Sequence, residues 1–199
     1  TIRRIVEFAE QTPLSALRPV FQPQMRMNLA IAEEGMQNRW GSSIGRHMLK
    51  LDPSAAGQAA AYAAAGSDAR MSGCPMPVMI LSGSGNQGIT ASMPVYVYAK
   101  ELNVSEEKLY RALLVSNLVT LHEKTGIGRL SAYCGAVSAG CGAGAGITYL
   151  YGGGYEQIKH TLVNAMAITS GIICDGAKPS CAAKIATSVD AGLLGYHMY

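Results

Sequence analysis

Apolar residues in this chain recur mostly at three- and four-residue steps, the spacing of a helix face, and no run alternates long enough to predict a strand. Residues 3–10 predict a short helix. Between Gln24 and Gln37, Met25, Leu29, Ala32 and Met36 mark one helix face. Asp52-Pro53-Ser54 predicts a helix start, with Asp52 capping and Pro53 in the first turn, and the alanine-rich run to Arg70 forms its body. Residues 71–88 hold Gly73, Pro75, Pro77, Gly83, Gly85 and Gly88 and predict a loop, after which Pro94 kinks or delays a helix ending near Leu102. Ser105-Glu106-Glu107 opens another helix, with a stripe of Leu109, Leu113, Leu114, Asn117, Leu118 and Leu121, broken at Gly126 and Gly128. Ser131–Tyr151 predicts a glycine-rich helix, Gly152–Gly154 a turn, Tyr155–Ile172 a further helix, and Pro179 the start of the last one. The expected fold is all-α: one compact helical domain over residues 1–199, with glycine-rich helices and a Gly/Ser-rich loop.

Composition sharpens this. Of 199 residues, 49% are hydrophobic and 15% charged, against roughly 25% charged in an ordinary soluble domain. Much of the surface is therefore expected to be buried, in the core, against further sequence, or against a second copy. The net charge of +3 is spread along the chain; no basic stripe of the kind nucleic acid requires is present. No charge falls between Arg70 and Lys100 or between Arg129 and Glu156, and each interval exceeds the roughly 20 residues of a membrane span. The first is interrupted by prolines and amides and the second is mostly Gly, Ala and Ser, so both read as close packing rather than insertion. A membrane protein with broken helices around Asn86 is the minor alternative. The start at Thr1 and the apolar end at Tyr199 suggest a piece of a longer protein; without a secretory leader, a cytoplasmic location is expected.

Three segments carry candidate chemistry. Five cysteines, Cys74, Cys134, Cys141, Cys174 and Cys181, are an odd number for a disulfide framework. Cys174 and Cys181 flank a Gly/Pro turn, and Cys134 lies upstream on the glycine-rich segment; three thiolates from two places suit a metal or an iron–sulfur cluster. From spacing alone, buried free cysteines are the commoner reading. Ser82-Gly83-Ser84-Gly85-Asn86-Gln87-Gly88 runs into a helix and offers open amides and two side-chain amides to a carboxylate or phosphate. The other reading is a flexible loop, against which the apolar flank Pro77–Leu81 argues. His122-Glu123-Lys124-Thr125-Gly126-Ile127-Gly128-Arg129 gathers ionisable groups ahead of Cys134: His122 or Lys124 for proton transfer, Arg129 for a carboxylate. A charged helix end in water is an equal alternative. His47, His160 and His197 have no evident partner.

Together, Ser82-Gly-Ser-Gly-Asn-Gln-Gly88, Glu123-Lys-Thr-Gly-Ile-Gly-Arg129, Ala132-Tyr-Cys-Gly135 and Cys174-Asp-Gly-Ala-Lys-Pro-Ser-Cys181 resemble the iron–sulfur-dependent L-serine dehydratase α-domain superfamily. The similarity is nearer to its uncharacterised, L-cysteine desulfidase-like branch. The resemblance implies a helical lyase with a [4Fe–4S] cluster on Cys134, Cys174 and Cys181 and an open iron for substrate. It implies α,β-elimination from L-serine or L-cysteine to pyruvate and ammonia, with sulfide from cysteine, a step in amino-acid catabolism. The Ser82–Gln87 loop and Arg129 would hold the substrate carboxylate. Cys141 would be a neighbour of the cluster, and Cys74 has no implied role. Family members are longer at both ends, and the base proposed for the desulfidase-like branch lies in sequence upstream of this region. The competing class is a metal-free domain that binds a small anion or packs on a partner, inactive as a fragment.

Overall fold

The computed structural model describes residues 1–128 and 131–199. Nine helices account for 74% of it, with no β-strand among the described residues, so the all-α expectation holds. They are α1 (Ile2–Gln11), α2 (Leu14–Gln37), α3 (Ile44–Leu51), α4 (Ala55–Met71), α5 (Gly85–Glu101), α6 (Glu106–Ile127), α7 (Gly135–Leu150), α8 (Tyr155–Ile168) and α9 (Cys181–His197). No helix among the described residues is long and apolar enough to cross a membrane.

The boundaries differ from expectation where tertiary packing outweighs local signals. Helix α2 starts ten residues before Gln24 and runs through Pro19 and Pro23. Its buried side, Leu17, Phe21, Gln24, Met25, Asn28, Ile31 and Ala32, is continuous across both prolines, and that burial offsets the two missing backbone donors. The unexpected α3 ends at Leu51 with Asp52 as its C-cap, so Asp52 does not cap α4; that cap is Ser54, whose hydroxyl accepts from the Gly57 amide. Helix α5 begins inside the expected loop, and Pro94 sits in its interior. Ser131–Cys134 is not helical, because Tyr133 forms an isolated antiparallel bridge with Ile173. Leu121, placed on the buried stripe of α6, is exposed.

The interior depends on small residues. Most of α4 is buried alanine. Where α7 meets α9, a methyl group on Gly140 would lie 2.4 Å from the Ser188 carbonyl oxygen, and one on Gly144 would lie 2.8 Å from that of Gly192. Backbone therefore packs on backbone. Since 140 faces 188 and 144 faces 192, α7 and α9 run parallel in fixed register. Helices α5 and α7 are parallel too: Gly135 meets Gln87 and Gly146 meets Val95. Helix α6 runs against α7, with Gly142 at Thr120 and Gly146 at Ala112. The N-termini of α5, α7 and α9 thus share one end of the bundle with the C-terminus of α6.

Candidate functional site

At that shared end, Leu81 and Ser84 exchange backbone hydrogen bonds of 3.1 and 3.0 Å around a two-residue turn. Ser82 (φ 50°) and Gly83 (φ 82°) both adopt left-handed backbone, as the turn type requires. The approach to the turn is held from α2: the buried Asn28 accepts from the Met79 amide at 2.9 Å and donates to Ser92 of α5 at 3.1 Å. Ser84 precedes α5 without capping it by its side chain, so the first-turn amides stay open at the positive end of the helix. Asn86 and Gln87, in that first turn, are almost fully buried. Arg70 of α4 donates to Asn86 Oδ1 at 3.2 Å, which leaves the Asn86 amino group free to donate elsewhere.

Gln87 ties this loop to the cysteines. Its amide packs against Gly135, where a methyl group would lie 2.3 Å from Nε2, and Gly135 follows Cys134 directly. Gln87 Oε1 is buried and has no hydrogen-bond partner among the described residues.

Cys134 precedes α7 and Cys181 opens α9. The parallel register of the two helices, carried back to their first turns, sets these residues level with each other. Cys174 is brought in by the Tyr133–Ile173 bridge: its amide donates to Ala132 O at 2.6 Å, and the Cys134 amide donates to Ile172 O at 3.3 Å. Cys134 is buried, Cys181 partly buried and Cys174 exposed; all are free thiols. Burial raises the Cys134 thiol above its ordinary pKa, nearby Cys174 adds to this, and the Ala136 amide and Lys184 act against it. Lys184 reaches the same spot from α9, donating to Ile173 O at 3.2 Å and pairing with Asp175. That pair, with Lys178, holds the Asp175 carboxyl down at about 2 and anchors the Cys174 turn.

The predicted residues thus converge only in part. Lys124 is buried and lines a cleft of about 710 Å³ with Ser82, Gly83, Leu121 and Thr125. His122 is exposed and lines neither this cleft nor the cysteine pocket, so its expected place in the site is not supported by position. Arg129 lies outside the described residues. Cys141 is fully buried on α7, and burial holds its thiol well above the usual range.

Two residues went unassigned in the sequence reading. Arg70 carries no motif and is joined to Asn86 only through the packing of α4 on α5. Glu123 lies within the ionisable cluster, and its place three residues after Thr120 on the same helix was the one available hint. It opens into a second, mainly apolar pocket of about 250 Å³ beside Cys134, Tyr133, Ser138, Met166 and Thr169.

Cys134 and Cys174 are soft donors on the two bridged segments, and Cys181 opens α9; thiol donors of this kind are the ones an iron–sulfur cluster takes. Among the described residues, no group of three or more His, Cys, Asp or Glu forms a site for a metal ion.

The family model described as serine dehydratase alpha chain matches residues 3–199. The chain is 60% identical over 200 residues to a UPF0597 protein of Desulfitobacterium hafniense (strain Y51), covering 100% of this chain and 46% of that protein. It is 53% identical to one from Lachnoclostridium phytofermentans, covering 98% of this chain and 47% of that protein. A third, from Finegoldia magna, is 52% identical, covering 100% and 48%. The chain spans about half the length of these curated relatives. No solved structure matches.

Proposed function

The chain belongs to the serine dehydratase alpha chain family, and we propose that it is the catalytic core of an iron–sulfur lyase acting on L-serine or L-cysteine. The supporting observation is the Tyr133–Ile173 bridge, which brings the Cys174 segment beside Cys134 at the start of α7, with Cys181 at the start of the parallel α9 and the Ser82–Gln87 turn abutting through Gln87 and Gly135. Family membership supports an amino-acid lyase in general; the substrate, the cluster and the residue roles belong to this reading.

Cys134, Cys174 and Cys181 would hold a [4Fe–4S] cluster, which when bound supplies a Lewis-acidic iron for the β-substituent. The open amides of α5, with the Asn86 amino group, bind the substrate carboxylate. Gln87 Oε1, an unpaired acceptor beside Cys134, takes a hydrogen bond from the substrate ammonium. Lys124 faces the turn across the larger cleft and adds positive charge there. Arg70 fixes Asn86 so that its donor points away from α4. Elimination gives an enamine, which hydrolyses to pyruvate and ammonia. Five unpaired thiols suit a reducing, cytoplasmic compartment.

The test is iron and acid-labile sulfide content after purification without oxygen. About four irons per chain are expected, lost in Cys174→Ala and kept in Cys141→Ala, with pyruvate formed from L-serine or L-cysteine. Protein still iron-free after reconstitution would overturn the reading. A metal-free anion-binding or assembly domain would then take its place, a role that the open first turn of α5 also fits.

A further inference from the structure

Glu123 and Lys124 are neighbours in sequence, but their side chains open into different hollows on α6. The Glu123 hollow is apolar over most of its wall, with Ile127, Val137, Met166 and Ile172 contributing, and Cys134 borders it. Glu123 Oε1 is buried and has no hydrogen-bond partner among the described residues. Among the described residues no cation lines the pocket; the titratable groups around it are Cys134 and Tyr133 on its wall and Cys141 deeper on α7. A carboxylate in such a place loses its hydration without compensation, so the proton stays on. Burial accordingly pushes the Glu123 carboxyl up to about 8. A neutral carboxylic acid is a hydrogen-bond donor and a proton source.

An elimination needs one. If the cysteines hold the reacting centre, the β-substituent lies next to Cys134, where this pocket opens. Hydroxide is a poor leaving group near neutral pH unless protonated as it departs; hydrosulfide is a better one, and protonation helps it less. We propose that Glu123 is the general acid of the elimination, giving its carboxyl proton to the oxygen or sulfur that leaves the β-carbon. The inference rests on the lyase reading above. A base removes the α-proton, and the electrons of the Cα–H bond become the Cα=Cβ bond. The Cβ–O or Cβ–S bond breaks with its electron pair on the leaving atom. That atom takes the Glu123 proton and departs as water or hydrogen sulfide. Glu123 is reprotonated from solvent, and no oxidant or reductant is consumed.

The experiment compares substrates that do and do not need the proton. In anaerobically prepared protein, Glu123→Gln and Glu123→Asp are assayed per bound cluster on L-serine, L-cysteine and β-chloro-L-alanine, whose chloride leaves without protonation. Glu123→Gln is expected to lower kcat on serine at least about 100-fold and on cysteine by a smaller factor, with little change in KM, and to stay within about threefold of wild type on β-chloroalanine. Glu123→Asp is expected to recover part of the loss. Equal losses on all three substrates, no loss on any, or loss of the iron itself would overturn the role and make Glu123 a structural residue. Iron-loaded wild type inactive on all three would instead overturn the lyase reading, and this role with it.

Discussion

Helices α7 and α9 are two different environments along their own length. At mid-length, Gly140 faces Ser188 and Gly144 faces Gly192 so closely that a single methyl would collide with backbone. At their N-terminal ends the same helices begin at Cys134 and Cys181 beside the bridged 131–134 and 172–174 segments, where Tyr133, Ile173 and Cys174 are exposed. The middle leaves no atom free to move and sets the register; the end carries reactive groups in that register and leaves them reachable. Precision at the site is thus achieved by packing some turns away from it.

The hardest test of this contrast is Gly140→Val. Its side chain must displace the Ser188 backbone, so a loss of about 3 kcal/mol or more is expected, read as a fall in melting temperature of about 10 °C. A change near zero would mean that the helices can part and that the register is not imposed there.

Next comes Glu123, at the border between the two environments. Its carboxyl titrates near 8 in the folded protein against an ordinary 4.5. Between those values only the folded chain keeps the proton, so stability is highest below the ordinary value, falls as pH rises through the window, and levels off above about 8. Glu123→Gln has no proton to lose. It is expected to flatten the melting-temperature profile between pH 5 and 8, by on the order of a few kcal/mol at the upper end. An unchanged profile would place the carboxyl in water.

At the loop, Arg70→Gln removes the cation that holds Asn86. A roughly tenfold rise in KM, about 1.4 kcal/mol, is expected with kcat little changed; unaltered kinetics would detach Asn86 from substrate binding. The same chemical deletion can then be made in both environments. Cys141→Ala, in the closed part, is expected to cost about 1 kcal/mol, and Cys174→Ala, at the open end, under about 0.5 kcal/mol in cluster-free protein. The reverse order would reverse the assignment of the two regions. The smallest effect is a gain: Gly126 lies in α6 with nothing among the described residues within 4 Å of an added methyl, and Gly126→Ala should stabilise by about 0.5–1 kcal/mol.

Much of this was legible in the amino-acid order. Helical periodicity, the Ser105 cap with its following acids, and the small-residue content of α7 follow from local rules, and the structure repeats them. The Ser82–Gln87 segment and the three cysteines stand out because glycine-flanked amides and unpaired thiols are chemically conspicuous wherever they fall. Other features were not legible. By local rules a proline interrupts a helix, yet Pro19, Pro23 and Pro94 lie inside α2 and α5, because burial of the rest of each helix outweighs the lost donors. Ser131–Cys134 looked helical until Ile173, some forty residues on, supplied a bridge partner.

The site shows the same division more sharply. The sequence by itself determined which groups exist: thiols, side-chain amides, a lysine and a carboxyl, each with its intrinsic reactivity. Only the tertiary structure decided which of them meet. Lys124 and Glu123 are adjacent in the chain yet open into separate hollows, whereas Gln87 and Gly135 are far apart in the chain and touch. Covalent order sets side-chain directions over one or two helical turns. Contacts between distant segments depend on the parallel register of α5, α7 and α9, and that register comes from how closely their backbones can approach.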